Sequence, residues 1–173
     1  HHSNEITNTI SEEIKKEIKD ELDNKESRFG RLGILIKMLE DPDIGNKVVT
    51  PDMTKYIETS IYQLLENPNN NQEKKHISSG FMDLINNSKL FNIPKEFYID
   101  EKIQELSREN MRDFVRNNSA QVLYEYMKHF GIDKNDYKDE IEEQILVELK
   151  DNNEAYFNRG LDFIKIFELD DED

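Results

Sequence analysis

The fold class is indicated most directly by residues 50–68, which have the sequence TPDMTKYIETSIYQLLENP. Thr50 is a residue type that caps helix N-termini, Pro51 suits the first helical position, and Asp52 places a favourable negative charge in the first turn. The apolar residues that follow recur on one side of a helix, and the closing Asn-Pro pair ends it. An amphipathic helix is therefore predicted here. Its apolar residues are Met53, Tyr56, Ile57, Ile61, Leu64 and Leu65.

Two more helices are predicted upstream of this stretch. The first has an apolar residue at every fourth position, and each step drifts by about 40° because a helix turns about 100° per residue. We expect a slanted apolar stripe that packs against the domain, rather than a coiled-coil seam. The second helix is expected to begin at Ser27 and to be stopped by the Asp-Pro-Asp sequence of residues 41–43. The stripe of the first helix consists of Ile6, Ile10, Ile14, Ile18 and Leu22.

Five helices are predicted downstream. Residues 91–98 are expected to form a packed connector, and one helix is expected from about Asp100 to Asn117. Ser119 is a candidate N-cap for the next helix, and Gly131 suits the left-handed position just after its end. The chain is therefore expected to be all-α, with about eight helices in a helical bundle or in stacked antiparallel helical hairpins.

Two stretches resemble parts of helical repeat families. The stretch from Val49 to Leu65 resembles a helical hairpin of HEAT-like or MIF4G-type scaffold domains. Residues 156–160, with the sequence YFNRG, resemble the opening helix of a tetratricopeptide unit but lack its partner helix. The first resemblance implies a helical scaffold fold.

The charge of the chain bears on its partners. The sequence has 38 acidic and 23 basic side chains and a formal net charge of −15, which repels phosphate backbones and anionic lipid headgroups. We therefore expect no direct binding of nucleic acid and no membrane as partner, whereas a cationic protein surface fits. Residues 133–173 hold 15 of the acidic and five of the basic side chains. The alternative is that the charge only keeps the chain soluble.

Motifs for catalysis and metal binding are incomplete. The sequence has no cysteine, no Gly-x-Ser-x-Gly elbow and no glycine-rich phosphate loop. Glu73 and His76 match one Glu-x-x-His element of a di-iron bundle, but Tyr126 stands where His129 would need a glutamate. We expect no catalytic residue, no metal ligand and no cofactor.

A calcium loop is also rejected. Asp133 opens a segment similar to the start of an EF-hand loop, yet Lys138 stands at the position that needs glycine and Gln144 at the one that needs glutamate. Asp133 is therefore interpreted as a turn or helix-cap residue.

The ends and the composition lead to a domain assignment. Residues 1–3 are expected to be the remnant of an affinity tag, residues 4–168 a single helical domain, and residues 169–173 an acidic tail or the start of a linker. The lack of cysteine and of any long apolar run favours the cytoplasm or the nucleus.

Together these features predict a non-enzymatic protein–protein interaction module, a domain of a larger scaffold or regulatory protein. The expected partner is another protein with a basic or a helical binding segment. The alternative function is an acidic inhibitor or immunity-type protein that masks a basic partner surface. The candidate partner-binding residues are Asp139, Glu140, Glu142 and Glu143.

Overall fold

The computed structural model describes residues 4–24, 30–68 and 75–168. Within these ranges the chain has eleven α-helices, one short 3₁₀ helix and no strand, which confirms the all-α class. The predicted count of about eight helices is wrong. The α-helices are α1 (Asn4–Asp23), α2 (Leu32–Met38), α3 (Pro42–Val48), α4 (Pro51–Glu66), α5 (Ser79–Asn86), α6 (Lys95–Ile99), α7 (Glu101–Glu109), α8 (Met111–Asn117), α9 (Ala120–Phe130), α10 (Lys138–Leu149) and α11 (Glu154–Phe167), with the 3₁₀ helix at Lys134–Tyr137.

Several predictions fall outside the described residues and are not tested by the structure. They concern the tag remnant at residues 1–3, the helix start at Ser27, Glu73 of the Glu-x-x-His pattern and the acidic tail at residues 169–173. None of the described helices has the length and the apolar character needed to cross a membrane.

Helix α3 begins where the sequence predicts a helix to stop. A carboxylate oxygen of Asp41 accepts a hydrogen bond from the backbone N–H of Asp43 at 3.0 Å, and Pro42 occupies the first helical position. These are the features of a helix start, because the cap satisfies a backbone donor that has no partner within the helix. The Asp-Pro-Asp sequence therefore opens a helix of its own.

Two further helices that were not predicted lie in regions for which the sequence predicts a connector or a single longer helix. Helix α6 occupies the second half of the predicted packed connector. The single helix expected from Asp100 to Asn117 is divided into α7 and α8 at Asn110. Three short helices thus account for the difference between eight and eleven.

The predicted caps are confirmed. The hydroxyl of Thr50 accepts from the N–H of Met53 at 3.3 Å at the start of α4, and that of Ser119 accepts from the N–H of Val122 at 3.3 Å at the start of α9. Gly131 ends α9 with a φ of 65°, in the left-handed region that glycine adopts without steric penalty.

The expected single domain at residues 4–168 contains two compact units. The first unit comprises the described residues up to position 68 together with 78–103. The second comprises 75–77 and 104–168, so the division falls within α7.

In the first unit, α1 packs against α2 and α3, and α5 packs against α2 and α4. The hydroxyl of Thr54 on α4 donates a hydrogen bond to the carbonyl oxygen of Phe91 at 2.7 Å, which holds the segment before α6 in place. The buried core of the first unit includes Ile18, Leu32, Leu35, Val48, Ile57, Ile61, Leu84 and Phe91.

The buried face of α1 differs from the predicted stripe. Ile6 and Ile10 are exposed, although the two isoleucines that follow them are buried. A spacing of four residues overshoots the 3.6-residue turn, so the first two members of the stripe rotate away from the packed side. The buried face consists of Thr7, Ser11, Ile14 and Ile18.

In the second unit, α11 packs against α9 and α10, and α10 also packs against α8. Tyr126 is fully buried, its hydroxyl donates to the carbonyl oxygen of Ser107 at 2.6 Å, and its ring meets that of Phe114 edge to face at 5.2 Å. Residues 75–77 belong to this unit through hydrogen bonds to α8 and its end; the backbone N–H of Ile77, for example, donates to the side-chain oxygen Oδ1 of Asn118 at 3.0 Å.

Candidate functional site

Helix α10, in the second unit, carries the predicted partner-binding residues, and the turn before it sets its position. After the left-handed Gly131, the carboxylate of Asp133 accepts from the N–H of Asn135 at 2.9 Å and starts the 3₁₀ helix that leads into α10. This confirms the interpretation of Asp133 as a cap. Ile141, Ile145 and Glu148 are buried and attach α10 to the rest of the unit.

The structure brings the four predicted residues together on the solvent-facing sides of this helix. Asp139 and Glu143 are exposed, and Glu140 and Glu142 are partly exposed. A helix turns about 100° per residue, which places all four at least about 100° from Ile141. We call Asp139, Glu140, Glu142 and Glu143 the acidic face.

Two members of the acidic face form long ion pairs within the second unit. Glu140 Oε1 lies 3.9 Å from Arg112 Nε, and Glu142 Oε1 lies 3.8 Å from Lys138 Nζ. Ion pairs of this kind between solvent-accessible side chains contribute about 0–1 kcal/mol to stability. A cationic partner can therefore replace them with little loss of stability.

Two aliphatic side chains are exposed among these carboxylates. Leu146 is 55% and Val147 is 59% exposed. Leu146 follows Glu142 by four residues and Glu143 by three, so both carboxylates lie about one helical turn away on neighbouring positions. This exposed pair is not among the binding residues predicted from the sequence. Their exposure could have been predicted, because neither Leu146 nor Val147 belongs to the series of apolar residues at every fourth position, Tyr137, Ile141, Ile145 and Leu149.

Helix α11 also exposes apolar side chains, and it approaches α10 through a glycine. Phe157 is 43% and Leu161 is 45% exposed. A Cβ atom on Gly160 would lie 2.9 Å from Leu149 Cδ2, so the two helices touch closely at this point. The buried residues of α11 are Gly160, Phe163 and Phe167.

An ion pair between a buried carboxylate and a partly exposed arginine joins the opposite, inward sides of these two helices. Glu148 is only 3% exposed, and its Oε1 lies 3.1 Å from Arg159 Nε. Gln144 Nε2 donates to the same carboxylate oxygen at 3.2 Å, and an Arg159 terminal nitrogen donates to the carbonyl oxygen of Asn118 at 2.8 Å. These contacts hold α10 and α11 to the end of α8.

Leu146 of α10 and both Phe157 and Leu161 of α11 lie on the same side of the pair of helices. Leu146 lies about 60° around α10 from Leu149, and Phe157 lies about 60° around α11 from Gly160. The short link between the helices makes them antiparallel. Glu148 lies about 100° from Leu149 around α10, and Arg159 lies about 100° from Gly160 around α11. Both point to the side opposite to the exposed apolar residues. We call Leu146, Phe157 and Leu161 the apolar ridge.

Tyr137 and His129 of the second unit both have shifted pKa values, and neither carries a positive charge near neutral pH. Burial raises the pKa of Tyr137, which precedes α10, above its ordinary value; Asp136 and Glu140 act in the same direction, and the positive charges of Arg108 and Arg112 oppose them. Burial lowers the pKa of His129 on α9, so its imidazole stays neutral around pH 7.

The described residues, 4–24, 30–68 and 75–168, contain no group of three or more His, Asp or Glu side chains placed to hold a metal ion. The proposed lack of a cofactor and of an enzymatic activity stays a prediction. Comparison of the chain with protein-family models, with curated proteins and with solved structures finds no match.

Proposed function

We propose that this chain is a non-enzymatic protein-binding module whose acidic face binds a basic surface on another protein. The observation that supports the proposal is the arrangement of four accessible carboxylates on one helix, with the exposed Leu146 and Val147 on the next turn. Opposite charges speed the encounter and select the partner, and buried aliphatic contacts supply affinity.

The setting of this module is also part of the proposal. We infer a domain of a larger scaffold or regulatory protein of the cytoplasm or nucleus, with stacked helical hairpins of the HEAT or MIF4G type. The close pairing of α10 with α11 through Gly160 supports a hairpin architecture in the second unit.

A random peptide library of roughly 16 residues, selected against the chain, tests the proposal because it assumes no partner sequence. We expect the recovered peptides to carry a net positive charge. Their affinity should fall at least about tenfold when the acidic face is neutralised by Asp139→Asn, Glu140→Gln, Glu142→Gln and Glu143→Gln.

A control variant separates the local effect from the loss of overall charge. It carries four substitutions of exposed acids elsewhere, Glu13→Gln, Glu40→Gln, Glu66→Gln and Glu109→Gln, and so changes the net charge equally. Peptides that bind both variants with the same affinity, or a selection that enriches nothing, would contradict the proposal.

The acidic inhibitor is a second candidate, favoured by the concentration of acid in residues 133–173. An inhibitor that acts mainly through exposed charges should lose affinity steeply with salt. Binding that persists at about 0.3 M NaCl would instead favour a module that also uses apolar contacts.

A further inference from the structure

We propose that the segment bound by the second unit is an amphipathic helix, with its apolar side on the apolar ridge and its Lys and Arg side chains on the acidic face. This inference rests on the proposed function and specifies the class of partner. It commits to a helical, basic segment of another protein.

The apolar ridge is unusual because two helices contribute to it from the same side. Single exposed apolar side chains are ordinary, whereas apolar side chains that adjoin one another indicate an interaction surface. Leu161 follows Gly160 directly, and Leu146 lies on the turn before Leu149, which contacts that glycine. The three ridge residues therefore border one seam between α10 and α11.

A seam between two antiparallel helices suits a third helix. Helices pack at about 8–10 Å between their axes, with the side chains of one set between those of its neighbours. An amphipathic ligand helix presents apolar residues at positions i, i+3, i+4 and i+7, which form a stripe that matches such a seam. The Glu148–Arg159 ion pair on the inward side holds the seam in a fixed geometry before binding.

The charges along the seam select a basic ligand. The carboxylates of Glu142 and Glu143 lie about one turn from Leu146, and Glu154 opens α11. A second copy of this chain would bring an identical set of acids against them, which is unfavourable. By helical position, the charged residues on the outer side of the pair are Asp139, Glu142, Glu143 and Glu154 with the cations Lys150 and Lys165.

Two synthetic peptides of about 18 residues and identical Lys/Leu composition provide the test. In one, the leucines follow the i, i+3, i+4, i+7 pattern; in the other, they are spread around the helix. We expect the amphipathic peptide to bind at least about tenfold more tightly in fluorescence anisotropy titrations. Its advantage should disappear in the ridge variant Leu146→Ser, Phe157→Ser and Leu161→Ser.

A matched variant in the first unit controls for the loss of exposed apolar surface. Ile34 and Ile99 are both exposed, and Ile34→Ser with Ile99→Ser should leave the affinity unchanged. Far-UV circular dichroism checks that each variant retains its helices, and Leu146→Ser alone provides a milder substitution should the triple variant lose them.

The outcomes separate this inference from the proposed function. Equal binding of both peptides, lost on neutralisation of the acidic face, would overturn the helix inference and leave a charge-binding module. Failure of both peptides to bind, or binding insensitive to that neutralisation, would count against the proposed function itself. A dimer of the chain that the ridge variant dissociates would assign the ridge to a second copy and overturn the inference.

Discussion

Gly45 shows how a single residue can determine the path of the chain. A Cβ atom at this position would lie 2.4 Å from the carbonyl oxygen of Leu39, well inside van der Waals contact. That oxygen belongs to the backbone of the turn after α2 and cannot rotate aside as the end of a side chain can. Helix α3 can therefore lie this close to the turn only because residue 45 has no side chain.

We predict that Gly45→Ala lowers the free energy of unfolding by about 1–3 kcal/mol, the usual range for forcing an extra methyl into a filled space. The loss should appear although alanine is the better helix former. Urea denaturation followed by circular dichroism measures it.

Gly30→Ala is the matched control, because a Cβ atom there would meet nothing within 4 Å. It should be neutral, or stabilising by up to about 1 kcal/mol through the lower entropy of the unfolded chain. Equal destabilisation by both substitutions would show that the close approach at Gly45 does not limit stability.

At the level of elements, a polar residue followed by proline marks a helix boundary, but these two residues alone do not show whether a helix ends before them or begins after them. Thr50-Pro51 is correctly interpreted as a start, whereas Asp41-Pro42 is interpreted as a stop, although both pairs cap a helix in the same way. Helix α4 is long enough to show its own apolar periodicity after the cap. Helix α3 has only seven residues, too few for a periodic face to appear.

Glu148 and Arg159 form an ion pair between α10 and α11 in which only the carboxylate is fully buried. Glu148→Leu should lower the free energy of unfolding by about 1–3 kcal/mol, because Arg159, whose side chain is 31% exposed, then loses the carboxylate that compensates its partial desolvation. Adding Arg159→Met should restore part of this loss, since no uncompensated charge remains. A double-mutant cycle from chemical denaturation measures both effects.

The exposed pair of Lys15 and Glu12 serves as a comparison, with an N–O distance of 3.0 Å. Glu12→Leu should change the free energy of unfolding by less than about 1 kcal/mol, because the Glu12 side chain is 74% exposed and water already solvates its carboxylate. If Glu148→Leu has no larger effect than Glu12→Leu, the Glu148–Arg159 pair does not hold the two helices together.

At the scale of the whole molecule, the net charge of −15 opposes the compact state. Like charges are closer together in the folded chain than in the unfolded chain, and salt screens their repulsion. We predict that the melting temperature rises between about 10 and 200 mM NaCl. A falling melting temperature in calorimetric scans would show that screened attractive ion pairs outweigh the repulsion.

The division into two units could not be derived from local sequence patterns. Ile77 directly precedes the residues that start α5 in the first unit, yet its N–H bonds to Asn118, which lies 41 positions further along the chain. Periodicity and caps report on interactions over a few residues only. A hydrogen bond over that separation depends on how distant elements meet, which no local pattern contains.

The sequence by itself determined the helical class, the caps at Thr50 and Ser119, the left-handed Gly131 and the acidic character of α10. These properties depend on backbone chemistry and charge within one or two turns, so they are visible in the order of residues. Periodicity likewise shows which residues share a face of a helix.

Only the tertiary structure decided which of those faces are buried. Burial depends on what another element brings against a face, so Ile10 is exposed while Ser11 is buried in α1. For the same reason the ridge of Leu146, Phe157 and Leu161 emerges only once α10 and α11 are packed together at Gly160.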